Sequence, residues 1–394
     1  MPENMLQVQR IREAMPATSA HIYLNTGTFG PLPTCVVEAI QKRIQFEWQN
    51  GRLGAAAFEG LSQIYGTARE SIARLLHAHT DEIALTDNTG EGLNIIISGR
   101  NWQAGEEVIT TNHEHTSALS PLYQIRQRYG VVVHMADLGP TAERSAVEAI
   151  RELINEKTRL IVLSHVTWST GTALDIQAVG RLGHERGIPV LVDGAQSAGA
   201  IPIDVKALGI DFYAIPMQKW LCGPDGTGAL YVSREALHYV APTYVGYFSV
   251  KHEENIEWAL QDDARRFEMG GRQTAAIAGQ CALLNWLENE VGFPWIYQRI
   301  AALNVYAYHA LKTVPGLTIL TPQPGVSGIL AFTVAGIDDE VLVQQLLEHH
   351  NIYIRNIPPN HALRISTGFY NTEEEIDTLV KALHAIVQSA AGTQ

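Results

Sequence analysis

Cysteine is scarce: 394 residues carry three, Cys35, Cys222 and Cys281. Their spacing suits neither a zinc site nor a disulfide framework. No metal is expected, and a reducing cytoplasm is the expected compartment. Positive charge is also short. The chain has 28 Lys and Arg against 41 Asp and Glu, a net charge of −13. A nucleic-acid partner calls for a basic stripe, so none is expected. Long hydrophobic runs are missing too. No stretch approaches the ~20 apolar residues of a membrane span, so no membrane partner is expected. Met1 to Arg10 lacks the apolar centre of a secretory signal. The histidines are scattered. His349-His350 closes a helix-like run and reads as a polar terminus rather than a metal pair.

What remains is an ordinary globular composition, 46% hydrophobic and 18% charged. The chain is long enough for two domains with a sizeable core. Periodicity predicts helices at 4–15, 34–49 and 61–78, with a mobile Gly/Ala-rich loop from Asn50 to Gly60. Strands at 82–86, 107–111, 131–135, 159–166 and 188–193 alternate with helices near 93–97, 143–154 and 175–186. That alternation, continuing to Tyr231, implies right-handed βαβ units and a mostly parallel sheet. Residues 240–274 read as loop-rich. Helices near 275–291, 293–312, 338–350 and 373–389, with strands at 327–334, 352–355 and 363–366, read as a smaller α+β unit.

Chemistry concentrates between Leu191 and Gly228. Leu191–Ser197 reads Leu-Val-Asp-Gly-Ala-Gln-Ser, 212–220 reads Phe-Tyr-Ala-Ile-Pro-Met-Gln-Lys-Trp, and 223–228 reads Gly-Pro-Asp-Gly-Thr-Gly. Each half is an apolar strand ending in a polar or charged residue, and in a parallel sheet those ends face the ligand crevice. Asp193 ends one strand and Lys219 follows the other, so a carboxylate and an amine can meet in one cleft. A lysine that forms an imine and an aspartate that holds a pyridinium nitrogen are what pyridoxal phosphate needs from a protein. Either residue alone is more often a cap or a loop charge.

The combination resembles the class V, fold type I family of pyridoxal-phosphate enzymes. There a strand carrying Asp-x-x-Gln is followed by a Lys and a Gly-Pro-x-Gly-x-Gly turn. The family includes cysteine desulfurases, cysteine/cystine C–S lyases, isopenicillin-N-epimerase-like proteins and some aminotransferases. The resemblance runs from Tyr23 to about Ile386. It implies an α/β fold type I transferase, with a large, mostly parallel domain and a smaller α+β C-terminal domain. The expected division is an N-terminal helical arm at 1–20, a large cofactor-binding domain at 21–265 and the smaller domain at 266–394. Pyridoxal 5′-phosphate is the implied cofactor, an amino acid the substrate, and a homodimer with shared active sites the assembly.

The resemblance also implies roles. Lys219 carries the imine, Asp193 the pyridinium contact and Gln196 a contact to the 3′ oxygen. Glu114-His115-Thr116-Ser117 matches the turn whose His stacks on the ring, making His115 a catalytic candidate; the same turn also reads as a capped helix start. Thr89-Gly90 opens a helix after a strand, where free N–H groups and the dipole suit a phosphate. Leu363-Arg364-Ile365-Ser366-Thr367-Gly368-Phe369-Tyr370-Asn371-Thr372-Glu373-Glu374 resembles the family's C-terminal signature. It gives Arg364 to the substrate α-carboxylate, because a planar guanidinium suits a carboxylate; a surface salt bridge is the plainer alternative. Arg355 is a candidate for the distal end of the substrate. Asn25, Thr26 and Gly27 belong to a loop over the site. Trp168 stands where many desulfurases have Asn, with His165 as a supporting residue. Gly271 and Arg272 occupy a turn that reaches the partner's phosphate.

The departures fall around the phosphate. Pro216 and Gln218 replace the family's Ser or Thr and its His, the hydroxyl of the Thr89-Gly90 turn is shifted by one place, and Gly271-Arg272 replaces the family's Gly-Thr. Gln218 can still donate a hydrogen bond. Either Arg272 and backbone amides compensate, or cofactor affinity is lower. No cysteine lies between Asn351 and Arg364, which argues against a persulfide-relay desulfurase; Cys222 reads as a buried apolar residue. β-Elimination from cysteine, cystine or a related sulfur amino acid is the first expectation. Aminotransferase or epimerase-like activity is the second, and a non-catalytic binding or scaffold protein the third. Loops at 25–30, 50–60 and 240–260 are expected to set specificity.

Overall fold

A computed structural model describes residues 3–251, 259–358 and 361–392. Residues 252–258 of the 240–260 loop lie outside the described residues. The centre is a seven-stranded sheet. Its order is Ile83–Thr86, Gly228–Val232, Phe212–Pro216, Val190–Asp193, Thr158–Ser164, Glu107–Thr111 and Val132–Ala136. All strands run parallel except Gly228–Val232, which is antiparallel to both neighbours.

The inner strands are near-continuous apolar runs because helices cover both faces. Ile161, Leu163, Val190, Val192, Tyr213 and Ile215 feed one core. Leu160, Val162, Leu191, Phe212 and Ala214, one residue out of step, feed the other. The period of two thus sorts a single hydrophobic run onto two faces.

A second, antiparallel sheet follows the order Leu317–Ile319, Ile329–Val334, Ala362–Ser366 and Arg355–Ile357. Helices Phe293–Leu311, Asp339–His350 and Glu373–Gly392 cover it. Packing crosses the expected division at two places. Ile22–Tyr23 pairs in parallel with Ile352–Tyr353, and Leu24 lies in the core of the smaller sheet. Helix Thr274–Trp286 packs instead into the core of the larger sheet.

Some local expectations need correction. Helix Ala55–Leu76 takes up half of the segment read as a mobile loop, because Ala55-Ala56-Ala57 are strong helix formers. The helix expected near 143–154 is confined to Ala146–Arg151, with Ser145 accepting from Glu148 N as its cap. Within the loop-rich 240–274 segment, short strands Val250–Lys251 and Ala259–Leu260 pair antiparallel. Among the described residues, no helix is long and apolar enough to cross a membrane.

Candidate active site

Five strand ends deliver the candidate residues to one edge. Thr86 leads to Asn88–Gly90, Thr111 to His115, Ser164 to Trp168, Asp193 to Gln196, and Pro216 to Lys219. All are carboxyl ends of parallel strands, where α/β sheets hold ligands.

Asp193 is buried, and its Oδ1 accepts from the Ala195 N–H at 2.8 Å. Desolvation raises the pKa of its carboxyl, while the charge of Lys219 pulls it back. Lys219 is partly buried, and desolvation lowers its ammonium pKa to about 8. Asp193 opposes that shift, whereas Arg364 and Arg355 add to it. The lysine turn is pinned from outside: Gly30 N donates to Gln218 O at 2.7 Å. Trp220 Nε1 donates to Gln196 Oε1 at 2.8 Å, and Gln196 Nε2 donates to Gly27 O at 2.9 Å. Gln196 therefore keeps one amide N–H for a ligand. Gly27 is closely packed: a Cβ there would stand 2.7 Å from Ser366 Oγ and 3.2 Å from Arg364 Nη2, so a neighbouring side chain would have to shift.

Arg355 and Arg364 are direct partners on antiparallel strands. Arg364 is fully buried, and desolvation with Arg355 beside it lowers its pKa to about 9. Its Nη1 donates to Trp168 O at 2.8 Å, and its Nε has no partner. The Arg355 guanidinium lies 5.9 Å from the Trp168 ring centroid. Among the described residues, neither arginine has a carboxylate partner. One fully buried and one half-buried cation beside a lysine suit an anionic ligand.

His115 caps helix Thr116–Tyr129 itself, in place of Thr116 or Ser117. Its Nδ1 accepts from Ser117 N at 3.2 Å, so in the neutral ring Nε2 carries the proton. Desolvation, then Lys219, Arg355 and Arg364, lowers its pKa to about 4. The ring meets Trp168 edge-on, with centroids 5.3 Å apart. His165 supports from below: its N–H donates to Asp193 O, and its Nδ1 lies 2.7 Å from Tyr213 Oη.

The structure gathers Lys219, Asp193, Gln196, His115, Trp168, Arg355, Arg364 and Gly27 into one connected cluster. Thr26 supports it from behind, its Oγ1 lying 2.6 Å from Tyr370 Oη. Asn25 bridges Ser366 through its backbone. Gly271 and Arg272 instead join the turn that opens helix Thr89–Ser98. The Arg272 guanidinium pairs with Asp87 and, at 2.7 Å, with Glu91. Gly271 N donates to Tyr247 Oη at 2.8 Å. Beside that turn lies an open hollow of about 620 Å³, bounded by Asn88, Gly90, Thr116, Ser117 and Ser120, with no Lys or Arg among its lining residues. Gln218 turns a buried, unpartnered Oε1 inward.

Sequence reasoning missed three contributors. Thr28 bonds to both arginines. Trp220 orients Gln196. Glu114, buried between the Thr111 and Ser164 hydroxyls, has its pKa raised to about 7 by desolvation. Only the neighbouring His115 gave a signal for Glu114.

The sheet and its edge of Lys, Asp, Gln and Arg define a fold type I architecture. The sequence pattern described as Aminotransferase class-V matches residues 22–379. The chain belongs to that class-V aminotransferase family. It is 30% identical to a protein of Methanothermobacter thermautotrophicus named "Probable cysteine desulfurase", over 97% of this chain and 98% of that protein. It is 31% identical to "Cysteine desulfurase CsdA" of Escherichia coli, over 96% and 98%. One similar solved structure is a lysine-to-alanine variant of C-DES with glycine covalently linked to its pyridoxal-phosphate cofactor. It is 29% identical, with a TM-score of 0.91, over 95% of this chain and 98% of that one. Another is the cystine C–S lyase C-DES with its reaction product cysteine persulfide, 29% identical at a TM-score of 0.90, over 94% and 99%.

Proposed function

We propose that the protein is a pyridoxal-phosphate-dependent C–S lyase that β-eliminates sulfur from cystine or a related sulfur amino acid. The observation that carries this reading is the juxtaposition of the Lys219–Asp193 pair with two arginines that lack carboxylate partners. The likeness to C-DES and to the cysteine desulfurases supports it.

The donor set fits the cofactor. Lys219 offers an amine whose lowered pKa leaves about a tenth of it neutral at pH 7. Asp193 offers a buried carboxylate, Gln196 an amide N–H, and helix Thr89–Ser98 its N-terminal turn. When bound, pyridoxal phosphate supplies an electron sink that lets the substrate α-proton and β-sulfur leave. Lys219 holds the cofactor and then moves the proton at the substrate Cα. Asp193 keeps a proton on the ring nitrogen. His115, neutral and donating from Nε2, closes one side of the cavity. Arg364 takes the α-carboxylate. Arg355, on the Trp168 face, takes the second carboxylate of a cystine-like substrate. Trp168 walls the space between His115 and Arg355 and excludes water.

The homodimer and the cytoplasmic setting belong to the same proposal. Trp48, Leu53 and Phe58 on and between helices Thr34–Asn50 and Ala55–Leu76 are exposed, as are Tyr244 and Met269 near Gly271. Such apolar exposure fits a surface covered by a second copy. A monodisperse, active monomer in light scattering contradicts the dimer. For the chemistry, purified protein with added pyridoxal phosphate gains a visible absorbance band, and Lys219→Ala loses band and turnover. A variant that keeps steady-state turnover refutes the role of Lys219.

A further inference from the structure

Arg355 and Arg364 face each other across antiparallel strands, and like charges in that register repel. One neutral hydroxyl lies between them. Thr28 Oγ1 accepts from Arg364 Nη2 at 3.1 Å and from Arg355 Nη1 at 3.4 Å. It donates its own proton to Asn25 Oδ1 at 2.8 Å. Both of its lone pairs therefore face cations. A carboxylate at this place would neutralise the pair and fill the site. A methyl group would leave the two guanidiniums unbridged. The hydroxyl holds them while leaving both charges for a ligand.

Its carrier loop is fixed at three points. Asn25 bridges Ser366, on the strand that carries Arg364. Thr26 Oγ1 meets Tyr370 Oη, and Gly27 O accepts from Gln196. The far side of the arginine pair is fixed by Trp168, whose carbonyl takes Arg364 and whose ring carries Arg355.

We propose that Thr28 is a positioning residue that sets the separation of the Arg355 and Arg364 guanidiniums, so that each takes one carboxylate of the same dicarboxylic amino acid. The inference rests on the diacid reading under "Proposed function" and deepens it. It makes the 25–30 loop a gauge of substrate length: Thr28 selects amino acids with a second carboxylate over those without one.

The test uses the holoenzyme and two ligands that elimination cannot consume. Diaminosuberate, the dicarba analogue of cystine, carries both carboxylates; homolysine lacks the distal one. Dissociation constants are read from the change each causes in the cofactor's visible band. Wild type binds diaminosuberate about tenfold or more tighter than homolysine, the worth of one charge-assisted contact. Thr28→Val brings that ratio toward one, and Thr28→Ser keeps it; Thr28→Ala replaces the valine variant should that one not fold. A Thr28→Val ratio equal to wild type, or an equal loss for both ligands, overturns the role of Thr28 alone. A wild type that binds the two ligands equally overturns the diacid reading, and this inference with it.

Discussion

Replacing Arg364 by methionine separates binding from folding. Arg364 is fully buried and has no carboxylate partner among the described residues. Methionine fills much of the same volume without a charge to desolvate. Relief of buried charge contributes about 1–4 kcal/mol in comparable replacements. Against this, the Trp168 carbonyl loses its donor, at a cost of about 1–3 kcal/mol. The two nearly cancel, so the apo-protein's unfolding free energy changes by no more than about 2 kcal/mol. Substrate binding has no such compensation. Two charge-assisted hydrogen bonds at about 1.5–3 kcal/mol each make the expected loss in kcat/KM at least about a hundredfold. Chemical denaturation of the apo-protein and steady-state kinetics on cystine read the two quantities separately. A variant that loses several kcal/mol of stability yet keeps its kcat/KM per folded molecule would make Arg364 a structural residue and refute the reasoning.

Lys219 gives a pH prediction with a definite sign. Its pKa is lowered, so the rate of cofactor capture by apo-protein rises with pH and levels off above about 8. Asp193→Asn removes the group that raises this pKa and moves the midpoint down; Arg355→Ala removes one that lowers it and moves the midpoint up. Shifts in the same direction would break this electrostatic account. Gly30→Ala places a Cβ 2.3 Å from Lys219 O and 2.6 Å from Cys222 Sγ. The lysine turn must shift, so the visible band weakens while far-UV dichroism stays native. Glu268 is buried, with Arg69 bidentate on it at 3.0 and 2.6 Å and Leu85 N donating at 3.0 Å. Glu268→Ala leaves Arg69, whose side chain is 14% exposed, without its carboxylate and the buried Leu85 N–H without its acceptor, and lowers stability by about 3 kcal/mol, measurable by denaturant titration.

The sheet was legible because its inner strands are buried on both faces, which writes them as runs such as Leu160–Leu163 and Phe212–Ile215. Lys219, Asp193 and Gln196 were legible because strand ends are where a parallel sheet delivers chemistry. Thr28 was not, because a threonine in a Gly/Pro-rich loop looks like any turn residue until Arg355 and Arg364 are brought across from the second sheet. The fate of Arg272 was hidden for the same reason. Its sequence neighbours gave no sign that Asp87 and Glu91 would claim its guanidinium. The helix start at Ala55 was obscured by Gly51 and Gly54, which punctuate the chain more visibly than a run of alanines does.

Elimination at a carbon bound to sulfur is read out by one product analysis. Holoenzyme is incubated with cystine, and pyruvate, ammonia and sulfur products are quantified together. Cleavage of the C–S bond, with water completing the hydrolysis, yields pyruvate, ammonia and cysteine persulfide in equal amounts. Racemised cystine, or an amino group passed to an added keto acid without pyruvate, would contradict the account.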